Sequence, residues 1–320
     1  MKRIYFNEVA PRDGFQIEPE FVPTDAKVAL IDALSACGYA KIEATSFTSP
    51  KAIPMLRDAE EVMGRIQRVP GVEYTVLVPN LRGAERALES RADELNLVMS
   101  VSETHNLANL RMPRARSWAS LGEVIRSVDG RTPINVSLSC AFGCPMEGEV
   151  PEAELLLWAE RFAGLGVRGL TICDTTGMAN PAQVSRMAEA LQTRLVGRSQ
   201  AHPGLQLTMH FHNTRGMGLA NVLAAVQGGI ERLDGSLGGL GGCPYAPGAS
   251  GNICTEDAVH MLDAMGYDTG MDLARLLTVA NTLPAIVGHA VPGQVAKAGT
   301  SLTLHPAPAY VAELLAQAAA

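Results

Sequence analysis

Eight short apolar runs rich in β-branched residues recur along the chain, and a longer stretch with helical periodicity follows each of the first seven. Strands that alternate with helices predict a parallel sheet, because each helix crosses back over the sheet before the next strand begins. Eight strands favour closure into a (β/α)8 TIM barrel. An open doubly wound sheet is the second possibility, but no G-x-G-x-x-G follows the first strand. The predicted strands are Ile4–Val9, Lys41–Ala44, Tyr74–Val78, Glu94–Val98, Pro133–Leu138, Gly169–Cys173, Gln206–Phe211 and Arg232–Ser236.

The stretches between the strands predict helices with recognisable starts. Thr24 and Asp25 precede apolar positions at helical spacing, as expected of a capped amphipathic helix, and Pro181 follows Asn180 in the same way. No low-complexity linker divides the sequence, which predicts a single catalytic domain over residues 1–320, with one or two extra helices in 257–320 packing on the barrel. The predicted helices are Thr24–Cys37, Pro54–Ile66, Gly83–Ser90, Ser120–Val128, Pro151–Leu165, Pro181–Leu195 and Gly216–Gly228.

Composition narrows the functional class. Hydrophobic residues make up 47% and charged residues 18% of the chain, enough to build a large core. A formal net charge of −7 argues against a nucleic-acid-binding surface, which would need a basic stripe. The first residues contain no apolar leader, and no apolar run approaches membrane-spanning length, so a cytoplasmic protein without a membrane partner is expected. The six cysteines form no CxxC pair, which argues against a zinc ribbon.

Unusual polar residues gather where predicted strands end. In a TIM barrel, the chemistry takes place at the C-terminal ends of the strands and in the loops that follow them. Strands 7, 8 and 1 are neighbours in a closed barrel, so residues far apart in sequence can meet there. The residues at these positions are Arg12, Asp13, Glu43, Asp174, His210, His212 and Asn252.

The His210-Phe211-His212 spacing predicts a metal site. Residues i and i+2 of a strand point to the same side, so the two imidazoles lie next to each other. With the Asp13 carboxylate and the Asn252 amide oxygen they form a nitrogen- and oxygen-rich set suited to Mg²⁺ or Mn²⁺. Without Asn252, the same ligands are also typical of non-haem iron or catalytic zinc. The two histidines alone could equally be ordinary polar residues at a strand end, but Asp13 and Asn252 favour the metal.

Cys243 lies in a glycine-rich segment, GGLGGCPYAPGASGN, that is too rich in glycine for a core helix. Glycines permit positive φ and a close approach of the backbone to a ligand. A thiol in such a segment can exchange a proton with a substrate, although an incidental surface cysteine is the simpler alternative.

Six segments, spread in order over about four fifths of the chain, resemble the 3-hydroxy-3-methylglutaryl-CoA lyase family of barrel metallolyases. The last is long and distinctive, whereas each of the others is modest alone. They are Glu8–Gln16 (EVAPRDGFQ), Ile42–Pro50 (IEATSFTSP), Ser139–Gly148 (SCAFGCPMEG), Asp174–Gly177, His210–Gly216 and Gly238–Asp257 (GGLGGCPYAPGASGNICTED).

This resemblance implies cleavage of a 3-hydroxy-3-methylglutaryl-CoA-like thioester into acetyl-CoA and a 3-oxo acid, acetoacetate, by a homo-oligomer. It implies that Arg12 neutralises the enolate and that Cys243 takes part in proton transfer. Glu43 and Asp174 are implied as catalytic support. The implied metal ligands are Asp13, His210, His212 and Asn252, and the implied contacts to the acyl-CoA substrate are Gln16, Ser46 and Asn109.

The chemistry of these residue types agrees with that reaction. A retro-aldol cleavage needs a deprotonated tertiary hydroxyl, positive charge at the thioester oxygen and an acid for the carbanion. Either Asp174 or a metal-site histidine can remove the hydroxyl proton. Glu43 can orient Arg12.

Three alternatives remain at this point. The substrate could be another 3-hydroxyacyl thioester, such as citramalyl-CoA or a longer 3-alkyl-3-hydroxyglutaryl-CoA. A Claisen-type synthase shares the barrel and the H-x-H pair, but carries a Gly-Glu-Arg-type loop where this chain has Gly242, Cys243 and Pro244. A non-catalytic metal-binding scaffold would not require Arg12 and Glu43.

Overall fold

The barrel prediction is confirmed by the computed structural model, which describes residues 2–196, 202–242 and 251–319. Eight strands form a closed barrel in chain order, and every neighbouring pair, including the first and last, is parallel. Their ends agree with the predicted ones to within two residues. The strands are β1 Tyr5–Glu8, β2 Lys41–Ser46, β3 Glu73–Leu77, β4 Glu94–Ser100, β5 Ile134–Ser139, β6 Gly169–Asp174, β7 Gln206–Phe211 and β8 Arg232–Gly235.

Helices surround the barrel and continue beyond it. Those within the barrel repeat are α1 Thr24–Ser35, α2 Ala59–Arg65, α3 Leu81–Glu89, α4 Glu103–Leu110, α5 Arg114–Val128, α6 Glu152–Gly164, α7 Pro181–Leu191 and α8 Gly218–Gln227. Those after it are α9 Thr255–Ala264, α10 Leu273–Ala280, α11 Leu283–Val287, α12 Val295–Ala298 and α13 Ala309–Ala318. No helix in the described ranges is long and apolar enough to cross a membrane.

The helices differ from the predicted ones in several places. Helix α2 begins at Ala59 and not at Pro54, because Pro54–Leu56 form a separate 3-10 turn. Helix α4 and the first two turns of α5 were not predicted. Helix α4 is only eight residues long, and its bounds are set by the residues that cap it and not by an apolar pattern. Ser102 caps it by accepting a hydrogen bond from the His105 backbone N–H, and Arg111 ends it at φ 56°. After residue 255 the chain forms five helices rather than one or two. Helix α10 contacts α1 and α9, whereas the described side chains of 301–319 are exposed, apart from the half-buried Val311.

Glu8, at the end of β1, fixes the segments that lead to the polar end of the barrel. Its Oε1 accepts the backbone N–H of Ala10 at 2.8 Å and of Leu237 at 2.9 Å, and its Oε2 accepts the hydroxyl of Tyr39. Burial raises the pKa of Glu8 to about 7. One buried carboxyl therefore connects the turn after β1 to the segment after β8.

The opposite end of the barrel carries a network of buried and half-buried ion pairs. Lys41 donates to Glu94 at 2.7 and 2.8 Å, and Arg168 pairs with both Glu94 and Glu73. These residues lie at or next to the N-terminal ends of β2, β3, β4 and β6. This end of a TIM barrel serves stability rather than chemistry.

Candidate active site

Asp13, His210 and His212 converge at the C-terminal end of the barrel. Their candidate ligand atoms all lie within 4.8 Å of one another, and all three residues are buried. Strand β7 and its extension place both histidines on the inner face, with their Nε2 atoms 3.1 Å apart. Asp13 comes from the tight helical turn Ala10–Gly14 that follows β1. Within the described parts of the chain, this is the one cluster of three or more His, Cys, Asp or Glu side chains that could hold a metal.

Asn252 completes this cluster. It forms a β-bridge with His212, and its Nδ2 donates to Asp13 Oδ2 at 2.7 Å and to the Leu240 carbonyl at 2.9 Å. Its Oδ1 is buried and accepts no hydrogen bond from any described residue. A buried amide oxygen without a donor is costly unless it binds a cation. Two imidazoles, a carboxylate and this oxygen therefore fit a divalent metal ion.

The charges around the cluster favour the metal-binding forms of Asp13 and His212. Burial opposes ionisation of Asp13, but Arg12 and the two histidines outweigh it and hold its pKa below the usual value. Burial and the neighbouring His210 lower the pKa of His212 to about 3. Burial acts in the same direction on His210, but Asp234 raises its pKa above the usual value. Asp13 is therefore ionised and His212 neutral near pH 7.

Arg12 lies beside the cluster and is held by two carboxylates. Its Nε donates to Glu43 Oε2 at 2.6 Å, and its Nη1 donates to Asp13 Oδ1 at 2.8 Å. Asn96 donates to the other Glu43 oxygen at 2.8 Å. Burial raises the pKa of Glu43 although Arg12 acts against it. The guanidinium is thus held in place at the cavity lining.

The cavity above the cluster has a volume of about 920 Å³ and combines a polar end with an apolar wall. The polar end contains Arg12, Asp13, both histidines and Asp234. The wall includes Ile53, Leu77, Val98, Leu110 and Met112. Such a combination suits an extended ligand with one charged end.

Of the predicted substrate-binding residues, Gln16 and Asn109 line the cavity and Ser46 lies behind its lining. Gln16 lines the cavity and its Nε2 is 3.3 Å from Asp13 Oδ1, while the exposed Asn109 lines the cavity mouth. Ser46 is buried and donates to Thr48 Oγ1 at 2.9 Å; Thr48, not Ser46, is among the cavity-lining residues in the described ranges. Cys243 lies outside the described residues, directly after the cavity-lining Gly242 in sequence.

Asp174 does not reach the cavity lining formed by the described residues. Its Oδ1 accepts the backbone N–H groups of Met178 and Ala179 at 2.7 and 3.1 Å. Burial raises its pKa to about 6. Asp174 therefore shapes the loop after β6, and its neighbour Cys173 faces the cavity instead.

Several polar cavity or floor residues were not predicted from the sequence, among them Asn7, Asn96, Cys173 and Asp234. Each lies inside a strand and not in a loop. A polar side chain inside a barrel strand was the available signal, since most strand interiors are apolar. The strand register needed to pair these residues is not visible in the sequence.

The sequence and the fold of this chain are similar to those of known proteins. The family model described as HMGL-like matches residues 3–283. A hydroxymethylglutaryl-CoA lyase of Bacillus subtilis is 44% identical over 294 residues, which is 92% of this chain and 96% of that protein. The human mitochondrial hydroxymethylglutaryl-CoA lyase is 37% identical, covering 94% of this chain and 91% of that protein.

A solved structure is also similar. An HMG-CoA lyase of Acinetobacter baumannii, in complex with coenzyme A and 3-methylmalate, has a TM-score of 0.90 and 52% sequence identity. The match covers 95% of this chain and 98% of that chain.

Proposed function

The chain belongs to the HMGL-like family, and on that premise we propose that it is a divalent-metal-dependent carbon–carbon lyase. It cleaves a 3-hydroxy-3-methylglutaryl-CoA-like thioester into acetyl-CoA and acetoacetate. The observation that carries this proposal is the buried Asp13–His210–His212–Asn252 set with the Arg12 guanidinium directly beside it, in one cavity. A non-catalytic scaffold would not need that buried cation.

Mg²⁺ or Mn²⁺ is the proposed ion, with Asp13, His210, His212 and Asn252 as its ligands. Two of these four ligands are oxygens and two are imidazole nitrogens, a set without thiolate that suits these ions. When bound, the ion supplies positive charge that lowers the pKa of the substrate hydroxyl.

Arg12 stabilises the negative charge that develops on the thioester oxygen as the carbon–carbon bond breaks. Its position is fixed before the substrate arrives, because Glu43 and Asp13 hold two sides of the guanidinium. Preorganised charge of this kind acts mainly on the transition state. Glu43 is therefore a positioning residue for Arg12, and Asn96 holds Glu43 in turn.

Two proton transfers accompany the cleavage. The substrate hydroxyl gives its proton to Asp174 or to a metal-site histidine. Asp174 Oδ2, which is buried and forms no hydrogen bond to the described residues, keeps a free lone pair when both histidines hold the metal. Cys243 returns a proton to the departing acetyl-CoA carbanion, as its glycine-rich sequence suggests. Asp174 supports the reaction by shaping its loop.

The acyl-CoA substrate contacts Gln16 and Asn109, and Ser46 acts through its hydrogen bond to Thr48. The apolar wall of the cavity suits the pantetheine arm and the 3-methyl group. A homo-oligomer located in the cytoplasm stays a prediction from the sequence.

A thioester panel tests the proposal. We expect 3-hydroxy-3-methylglutaryl-CoA to give acetyl-CoA and acetoacetate in equal amounts, with the highest kcat/KM of the panel. Citramalyl-CoA and a longer 3-alkyl homologue serve as competitors, and products are identified by liquid chromatography and mass spectrometry. If no thioester is cleaved but free CoA is released from acetyl-CoA and an oxo acid, the protein is a synthase and the proposal is wrong.

A further inference from the structure

Asp234 of β8 connects the floor of the barrel to the metal cluster. Its Oδ2 lies 3.3 Å from His210 Nδ1, and its Oδ1 accepts the Asn7 amide N–H at 2.9 Å. Its side chain is only 12% exposed. Both carboxylate oxygens are therefore engaged, one by a candidate metal ligand and one by a residue below it.

The strand register produces this contact. Asn7 pairs with Asp234 across β1 and β8, and Asp234 pairs with His210 across β8 and β7. Directly paired residues of neighbouring strands point to the same side of the sheet. The three side chains thus lie side by side on the inner face, so their hydrogen bonds follow from the barrel itself.

The contact has a chemical consequence for His210. A neutral imidazole carries one N–H and one lone pair, and its hydrogen bonds decide which nitrogen has which. A carboxylate facing Nδ1 places the N–H there and leaves the lone pair on Nε2. Nε2 is the atom that faces His212 across 3.1 Å. Asp234 therefore selects the metal-binding form and orientation of the ring.

His212 provides a comparison within the same site. Its Nδ1 is buried and forms no hydrogen bond to the described residues. Of the two histidines, only His210 has a carboxylate at Nδ1 in the described structure. The same design recurs at Arg12, where the amide of Asn96 holds Glu43 and Glu43 holds the guanidinium.

We propose that Asp234 is a positioning residue of the metal site, which fixes the tautomer and orientation of His210 and is itself held by Asn7. This inference rests on the metal site of the proposed function, but not on the identity of the substrate.

Mn²⁺ affinity, measured by isothermal titration calorimetry on the full chain without substrate, tests the role of Asp234. Loss of an outer carboxylate on a ligating histidine costs about 10–100-fold in metal affinity, and we expect that loss for Asp234→Ala. Asp234→Asn keeps the shape and an acceptor oxygen, so its loss should be smaller. Asn7→Ala should fall between Asp234→Asn and wild type. Thr208→Val, two residues before His210 on the same inner face of β7, is the matched control and should bind Mn²⁺ like wild type.

Nitrogen-15 spectra of the histidines give a second readout, which a general loss of packing would not reproduce. We expect an Nδ1–H signal for His210 in wild type and a mixture of tautomers in Asp234→Ala. If Asp234→Ala does not fold, the same comparison is made with Asp234→Asn.

Unchanged Mn²⁺ affinity and an unchanged tautomer in the folded Asp234 variants would overturn the inference, and so would a wild-type protein that does not bind Mn²⁺. Weakened Mn²⁺ binding in a protein that cleaves no thioester would support the inference while refuting the proposed function.

Discussion

Arg12 is a buried cation whose surroundings keep it charged. Burial opposes the charged form, but Glu43 and Asp13 outweigh it and raise the pKa of Arg12 above its usual value. The side chain spans the space between Asp13, a proposed metal ligand, and Glu43 of β2. The guanidinium at the cavity lining therefore stays charged near neutral pH.

Substitution of Arg12 should separate catalysis from metal binding. We expect Arg12→Met to lower kcat by about 10²–10³, the usual effect of losing one electrostatic donor in the transition state. Mn²⁺ affinity should change far less, because Arg12 is not a ligand. Arg116→Met, on the exposed face of α5, is the control and should match wild type in both measurements. A kcat within threefold of wild type, with only KM raised, would show that Arg12 binds substrate and does not stabilise the transition state.

The residues that the structure gathers at the site were predictable to different degrees. Asp13, His210, His212 and Asn252 could be singled out because each lies at a strand end or in the segment that follows one, where barrel chemistry is concentrated. Asp234 and Asn96 could not, since their roles depend on partners one or two strands away. Asp174 could be predicted near the site from its strand end, whereas the backbone N–H groups that its Oδ1 accepts are revealed by no sequence pattern.

At the scale of elements, the described glycines Gly241 and Gly251, between β8 and α9, bring their backbone close to the proposed metal ligands. Gly241 has φ 116°, and a Cβ built there would lie 2.3 Å from Asn252 Nδ2 and 3.2 Å from Asp13 Oδ2. Gly251 approaches as closely from the other side, with its Cβ position 2.4 Å from the Gly241 carbonyl. Glycine is required here both for the backbone angle and for the absence of a side chain.

Two alanine substitutions separate these requirements. Gly241→Ala should displace Asn252 and weaken Mn²⁺ binding by about 10–100-fold, as other disruptions of ligand support do. Gly266→Ala is the matched control, because Gly266 has φ 84° but nothing within 4 Å of its Cβ position. It should lose about 1–2 kcal/mol of unfolding free energy from the backbone angle alone and keep normal Mn²⁺ affinity. Equal Mn²⁺ affinities in the two variants would contradict the close-packing argument.

Strands were easier to predict than helices in this chain. The strands recur as short segments with apolar and β-branched residues, which distinguishes them from the longer helical stretches between them. Helix α4 has a weak apolar pattern, and its bounds depend on the Ser102 cap and the left-handed Arg111. The helices after α9 are short, and α11 ends at the positive-φ Gly288, a local feature that hydrophobic periodicity does not register.

At the scale of the whole molecule, the two ends of the barrel have different tasks. The N-terminal end carries the Lys41, Glu94 and Arg168 ion pairs, and the C-terminal end holds the metal cluster, Arg12 and the cavity. Closure of the barrel brings β1 and β8 together, and with them Asp13 and Asn252, which are 239 residues apart in sequence. The fold was predictable because its eightfold alternation extends over most of the chain.

Metal removal and readdition test the central claim most directly. The protein is stripped with a chelator and supplied with 3-hydroxy-3-methylglutaryl-CoA, and acetyl-CoA and acetoacetate are quantified before and after Mg²⁺ or Mn²⁺ is added. We expect turnover to fall to background without metal and to return saturably with either ion, giving the two products in equal amounts. Full turnover in metal-free protein, or none with any divalent ion, would contradict the assignment of a metal-dependent carbon–carbon lyase.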